Sequence, residues 1–258
     1  MRALRYLARA VRHPEPGGPG PGILRYLLSR PRIFDVVSCV MQLRDARALA
    51  RIGDAPPGDS FHARVADYNA GVTLKKVITT TRRAEICYRV LGLPPRDLRR
   101  ERLLIIGPRN VQELLIAWLQ GYRWQHIEAI DLYSTNPKIR IMNMEAMTFP
   151  DESFDALVMS NTLAYARDTF QCLAETARVL KPSGRMVFGA TYFPRSEDWP
   201  GNHVSGTEIR AMLRKLSLAV TFYQAFDKVN SLGGTQTAHL FGVQKTDPRN
   251  PGFDRIDW

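Results

Sequence analysis

The fold turns on DALVMSNTLAYARDTFQCLAETARVLKPSGRMVFGA, Asp155 to Ala190. One short apolar run, DALVMS, opens the stretch and another, RMVFGA, closes it. Between them TFQCLAETARVL repeats its apolar residues at helical spacing. Such runs read as buried strands, and a strand, helix, strand succession implies a crossover that leaves the two strands parallel. The alternation extends in both directions. Upstream, RLLIIG, HIEAID and KIRIMN read as strands, with VQELLIAWLQG as the helix after the first. Downstream, AVTFYQAF and AHLFGVQ are separated by DKVNSLGGTQT, whose Gly233-Gly234 pair suggests an antiparallel hairpin at the sheet edge. The expected fold is therefore α/β: a doubly wound, Rossmann-like, mostly parallel seven-stranded sheet with an antiparallel terminal hairpin.

A chain of 258 residues, 45% hydrophobic and 24% charged, can bury a substantial core, as one large domain or a core domain with an extension. No run approaches the ~18 apolar residues that a membrane span requires. Cys39, Cys87 and Cys172 lack CxxC spacing, so neither a zinc site nor a disulfide framework is expected, and a reducing, cytoplasmic setting follows.

The charge is uneven. Residues 1–100 hold 19 Lys plus Arg against 8 Asp plus Glu, while residues 101–258 hold 17 of each, so the whole excess of +11 lies in the first part. That part reads as mainly helical. MRALRYLARAVRH places Leu4, Leu7 and Val11 on one face and Arg2, Arg5, Arg9 and Arg12 around the rest, and PEPGGPGPG then breaks the helix. Helical spacing returns over Ile33–Ile52 and Val72–Leu91, each closed by glycine and proline. We therefore divide the chain into a basic, mainly helical extension or lid at 1–100 and an α/β domain at 101–258. A basic extension suits an acidic partner: a phosphorylated or sugar-containing small molecule, an anionic membrane surface met by residues 1–13, or nucleic acid. A solvated arginine-rich surface is the plain alternative.

In open α/β sheets ligands bind beyond the carboxyl ends of the strands. Gly107-Pro108-Arg109-Asn110, Asp131, Asn143-Met144-Glu145 and Ser160 to Tyr165 occupy those positions. The run MEAMTFPDESFDALVMSNTLAYARDTFQCLAETARVLKPSGRMVFGA, Met144 to Ala190, resembles the class I S-adenosylmethionine-dependent methyltransferases. It follows their order: an acidic-Ala-Glu turn, a Phe-Pro-Asp-x-Ser-Phe-Asp turn, a fourth strand, and a helix ending in Arg-Val-Leu-Lys-Pro before a fifth strand. More loosely, the resemblance reaches from Arg102 to about Lys245.

The resemblance implies S-adenosylmethionine as cofactor and assigns roles by position. Gly107 would lie against the cofactor backbone, Asp131 would accept both ribose hydroxyls, and Asn143 and Met144 would meet the adenine. Asn161, Leu163 and Tyr165 would line the pocket under the sulfonium. The first loop departs from the family pattern, with Ile105, Arg109 and Val111 where an acid and two glycines are usual. Arg109 could instead hold the carboxylate of the cofactor's methionine portion and Glu113 could face its ammonium group, or Arg109 and Asn110 could simply form a turn that caps the next helix.

Methyl transfer to a hydroxyl benefits from a general base, and Tyr165, Asp168, Tyr192 and His203 stand near the strand ends. His203 is the foremost candidate because it titrates near neutrality; Asp168 suits a helix cap. Phe61, His62, Arg64, Tyr68, Lys75, Lys76, Arg82 and Arg83 could form a lid over an acidic acceptor. The expected reaction is O-methylation of a small-molecule, sugar-containing or natural-product acceptor. Two alternatives remain: a non-catalytic methyltransferase-fold scaffold and a nucleic-acid methyltransferase. Few aromatics interleave the arginines, and Asn161-Thr162-Leu163-Ala164 is not the Asn/Asp-Pro-Pro-aromatic run of base-modifying enzymes, both of which argue against nucleic acid. A dinucleotide oxidoreductase lacks its GxGxxG.

Overall fold

A computed structural model of the chain describes residues 23–49, 82–93, 96–108, 110–134, 136–191, 204–229, 235–247 and 249. The elements in chain order are α1 (Ile23–Leu28), α2 (Pro31–Leu49), α3 (Arg82–Leu91), β1 (Leu103–Ile106), α4 (Val111–Gln120), β2 (Ile127–Asp131), β3 (Ile139–Ile141), β4 (Phe154–Met159), α5 (Thr169–Val179), β5 (Leu180–Thr191), α6 (Gly206–Lys215), β6 (Leu218–Val229) and β7 (Thr235–Lys245). The seven strands form one sheet in the order β3-β2-β1-β4-β5-β7-β6. The first five are parallel, and β7 pairs antiparallel with both β5 and β6. This is the expected doubly wound sheet with its terminal hairpin.

Helix starts follow from local chemistry. Asn110 caps α4 by accepting from the Gln112 amide at 3.0 Å, and Asp168 caps α5 by accepting from the Gln171 amide at 3.0 Å. Ser205 and Glu208 close a reciprocal capping box at the start of α6. Strand β5 starts five residues earlier than the apolar run RMVFGA suggests. Its opening residues, Leu180 to Gly184, make an irregular entry with Ser183 at a φ of 59°, and the register with β4 shifts between Phe154 and Ala156. Pro182 and Gly184 look like a turn in sequence because a bulged strand start needs the same residues.

The central strands are predominantly apolar because both their faces are covered, β1 entirely so. Leu104, Ile106, Leu157, Met159, Phe188 and Phe241 share one core with α5 and α6, while Leu103, Ile105, Ala156, Val158 and Val187 share the other with α3 and α4. Helix α3, part of the expected extension, is thus integral to the second core through Ala84, Cys87, Tyr88 and Leu91. A buried ion pair ties it down: Arg185 on β5 donates to both carboxylate oxygens of Glu101 at 2.8 and 2.7 Å and to the Leu91 carbonyl at 2.6 Å. Helix α2 lies against α4, and the Asn136 side-chain amide donates to Asp45 at 3.1 Å. Among the described residues, no helix is long and apolar enough to cross a membrane.

Candidate functional site

The parallel strands end at one edge of the sheet, and a cleft of about 370 Å³ opens there, lined by Ile106, Gly107, Ile130, Asp131, Leu132, Met142, Asn143, Met144, Thr162 and Tyr165. It lies beyond the carboxyl ends of β1, β2 and β3, where this architecture binds ligands.

Gly107 ends β1 with a φ of +69°, its amide donating to the Ile130 carbonyl at 2.8 Å. A Cβ there would lie 2.3 Å from both Cγ2 and Oγ1 of Thr162. The glycine is therefore demanded by its backbone and by Thr162 before any ligand enters. Thr162 Oγ1 donates to the Ile106 carbonyl at 3.1 Å and so locks the loop after β4 onto the end of β1. Asn110 already caps the start of α4, so this helix terminus is not left open as a phosphate cradle.

Asp131 is half-buried at the end of β2, one carboxylate oxygen accepting from the Tyr133 amide at 3.4 Å and its carbonyl accepting from Met142 at 3.0 Å. Asn143 accepts from the Glu145 amide at 2.9 Å, a local turn that fixes its side chain at the cleft wall. Glu145 in turn accepts from the amides of Arg167 and Asp168, the latter at 3.0 Å, which ties this turn to the loop carrying Tyr165. Behind the wall, Arg178 holds the Phe-Pro-Asp turn. Its guanidinium donates to the carbonyls of Met147 and Phe149 and to the carboxylates of Asp151 and Glu175, at 2.7 to 2.8 Å. Hydrogen bonding to Arg178 keeps the Glu175 carboxyl below the usual range.

Of the residues expected at the site, the cleft gathers Gly107, Asp131, Asn143, Met144 and Tyr165. Three others are not among the residues that line it. Glu113 is buried on α4 beside Cys87 and Tyr88 of α3, because the phase of the helix turns it beneath α3. Leu163 is buried in the first core. Asn161, at a φ of +63°, brings its backbone against Gly189 of β5. Arg109, Tyr192 and His203 lie outside the described residues, as do residues 1–13, the lid candidates between Phe61 and Lys76, and the first ten residues of the stretch Val72–Leu91. The side chains of Arg82 and Arg83 also fall outside the description.

Ile106, Ile130, Leu132, Met142 and Thr162 line the cleft without having been singled out. The first four had a usable signal, since residues flanking a strand's carboxyl end must wall any ligand there. A polar pair at the same sheet edge was also missed. Tyr223 Oη lies 2.9 Å from His239 Nδ1, and His239 pairs with Ala190 near the end of β5. Burial, and then the charge of Arg210, holds this imidazole below its usual pKa. Among the described residues, no group of His, Cys, Asp and Glu could hold a metal ion.

Residues 122–188 match the family model for the methyltransferase domain, a segment from just before β2 into β5 that leaves out the Gly107 loop. The chain is 32% identical to the ubiquinone/menaquinone biosynthesis C-methyltransferase UbiE of Hahella chejuensis (strain KCTC 2396) over 94 residues, 35% of this chain and 37% of that protein. It is 39% identical to the protein of the same name from Marinomonas sp. (strain MWYL1) over 62 residues, 24% of this chain and 25% of that one. These matches span well under half the length of either relative. Among solved structures, the Burkholderia thailandensis 1,6-didemethyltoxoflavin-N1-methyltransferase, with 1,6-didemethyltoxoflavin and S-adenosylhomocysteine bound, aligns at a TM-score of 0.56 and 16% identity, covering 76% of this chain and 94% of that one.

Proposed function

We propose that this chain, whose residues 122–188 match the methyltransferase-domain model, is a class I S-adenosylmethionine-dependent methyltransferase that transfers a methyl group from that cofactor to a small-molecule acceptor. The observation that carries the reading is the cleft itself. It sets one carboxylate, Asp131, among apolar walls at the carboxyl edge of the sheet, beside a glycine at positive φ.

The cleft's chemistry fits the cofactor. Asp131 would accept the two ribose hydroxyls, two carboxylate oxygens matching two adjacent donors. Ile106, Ile130, Leu132, Met142 and Met144 supply apolar surface for the adenine, and Asn143 and the Met144 amide supply its polar edge contacts. Arg109 would pair with the cofactor carboxylate. When bound, the cofactor supplies an electrophilic methyl on a sulfonium. The protein's contribution would then be positioning: Tyr165 bounds the cleft on the side of the β4 loop, where it would orient the groups that meet there.

For the acceptor we favour a hydroxyl, with His203 as the base that takes its proton. A carbon acceptor is the second reading, favoured by the names of the two relatives, both C-methyltransferases. We place the reaction in the cytoplasm, a reading supported by the free thiols of Cys39, Cys87 and Cys172.

The test is transfer of a deuterated methyl from S-adenosylmethionine to a panel of phenols, sugars and quinols, read by mass spectrometry and NMR. Label should reach at least one acceptor with the wild type and fall to background with Asp131→Ala. Equal labelling by the two proteins would overturn the reading.

A further inference from the structure

Helix α2 buries polar side chains beside Phe34, Val37 and Met41 and leaves other apolar ones on its outward face. Towards the domain it turns Phe34, Ser38, Gln42 and Asp45. Ser38 and Gln42 are buried, with Ser38 Oγ and Gln42 Oε1 lacking hydrogen-bond partners among the described residues, and Asp45 is half-buried against Asn136. Away from the domain it turns Ile33, Val36, Val40 and Leu43, with Val36 and Val40 63% and 61% exposed. At 3.6 residues per turn these four side chains fall within an arc of about 80°, a continuous stripe along the helix. Leu24, Tyr26 and Leu27 of the adjoining α1 are also exposed. A run of exposed apolar side chains on one helix face marks an interaction surface.

Charge selects the partner. Arg32 and Arg44 are exposed, and the helical phase sets one on each flank of the stripe, with Arg30 exposed in the turn between α1 and α2. Residues 1–49 carry nine arginines against Glu15, Asp35 and Asp45. An apolar stripe bordered by arginines is the pattern of a helix lying in the plane of an anionic bilayer, its apolar side chains among the acyl chains and its guanidinium groups at the lipid phosphates. Pairing the stripe with a second copy would instead bring like-charged flanks together.

We propose that the outward face of α2, Ile33, Val36, Val40 and Leu43 with Arg32 and Arg44, docks this protein onto anionic membrane surfaces. Docking is independent of the methyltransferase reading and stands or falls separately from it.

The test is co-sedimentation of the full chain with vesicles of phosphatidylcholine alone or mixed with phosphatidylglycerol. Val36→Asp/Val40→Asp and Val36→Leu/Val40→Leu variants are compared with the wild type, folding is checked by circular dichroism and the oligomeric state by light scattering. Both valines are exposed, so neither variant disturbs the core. Wild type should bind the mixed vesicles and lose affinity as salt rises; the aspartate pair should weaken binding by about tenfold or more, and the leucine pair should retain it. Unchanged binding by a folded aspartate pair would overturn the proposal, as would wild-type protein that ignores anionic vesicles. A solution dimer that the aspartate pair dissolves would give the stripe to a second copy and overturn it equally. Methyl transfer and cofactor binding are measured on the same samples; their failure alone leaves docking intact.

Discussion

Replacing Gly107 by alanine tests the geometry of the first loop in a way that separates two costs. The residue sits at a φ of +69°, where an L side chain is strained by about 1–2 kcal/mol. The added Cβ also meets Thr162 Cγ2 and Oγ1 at 2.3 Å and Cβ at 2.8 Å, so Thr162 must move and its hydrogen bond to the Ile106 carbonyl is lost, a further ~1 kcal/mol. Gly107→Ala should therefore destabilise the chain by about 2–3 kcal/mol, lowering the melting temperature by roughly 5–10 °C. Thr162→Ala removes the two nearest atoms, so the double variant should be less destabilised than the sum of the single ones, while the strain from φ persists. Urea unfolding of the four proteins measures each term. Gly107→Ala with wild-type stability, or strict additivity with Thr162→Ala, would refute the contact and with it the account of how the β4 loop is locked to β1.

Other consequences follow from the pairs that hold the sheet and the cleft wall. Arg185→Leu leaves the Glu101 carboxylate buried without its bidentate partner and should cost about 3–5 kcal/mol in urea unfolding. Glu175 has its carboxyl held down first by the hydrogen bond from Arg178, so its stabilisation is full above the unfolded-state value and is lost as pH falls through the depressed folded value. Arg178→Met should therefore destabilise the chain by about 2 kcal/mol near neutrality and move its acid unfolding to higher pH. Burial pushes the Cys87 thiol up to about 12 and raises Cys172 as well. Alkylation of the native protein at mildly alkaline pH should modify Cys39 alone, with all three thiols reacting after unfolding.

The alternation of short apolar runs with amphipathic helices was enough to indicate a mostly parallel sheet, because strands buried on both faces are mainly apolar and helix caps such as Asn110, Asp168 and Ser205 are local. Asp131, Asn143 and Met144 were legible for a similar reason: in this architecture the residue just past a strand end faces the ligand edge whatever its neighbours do. Glu113 was not, since one helical turn decides whether a side chain faces the cleft or lies beneath α3, and that depends on packing between segments distant in sequence. Thr162 escaped notice because its importance lies in a contact with Gly107 across 55 residues. The apolar stripe of α2 was hidden in a helix whose period was correctly read but whose inward face the sequence does not declare. Helix α3 looked like part of a separate basic extension because its arginines dominate its composition, whereas Ala84, Cys87, Tyr88 and Leu91 bind it to the sheet.

The central claim is that Asp131 holds an adenosyl cofactor in the cleft at the ends of β1, β2 and β3. Titration calorimetry with S-adenosylmethionine and S-adenosylhomocysteine, on the wild type and on Asp131→Ala, addresses it most directly. The account expects both ligands to bind the wild type and the folded Asp131→Ala variant to lose at least about tenfold in affinity, since a carboxylate accepting two ribose hydroxyls has no substitute there. Wild type that binds neither ligand, or a variant that binds both as tightly, would contradict it.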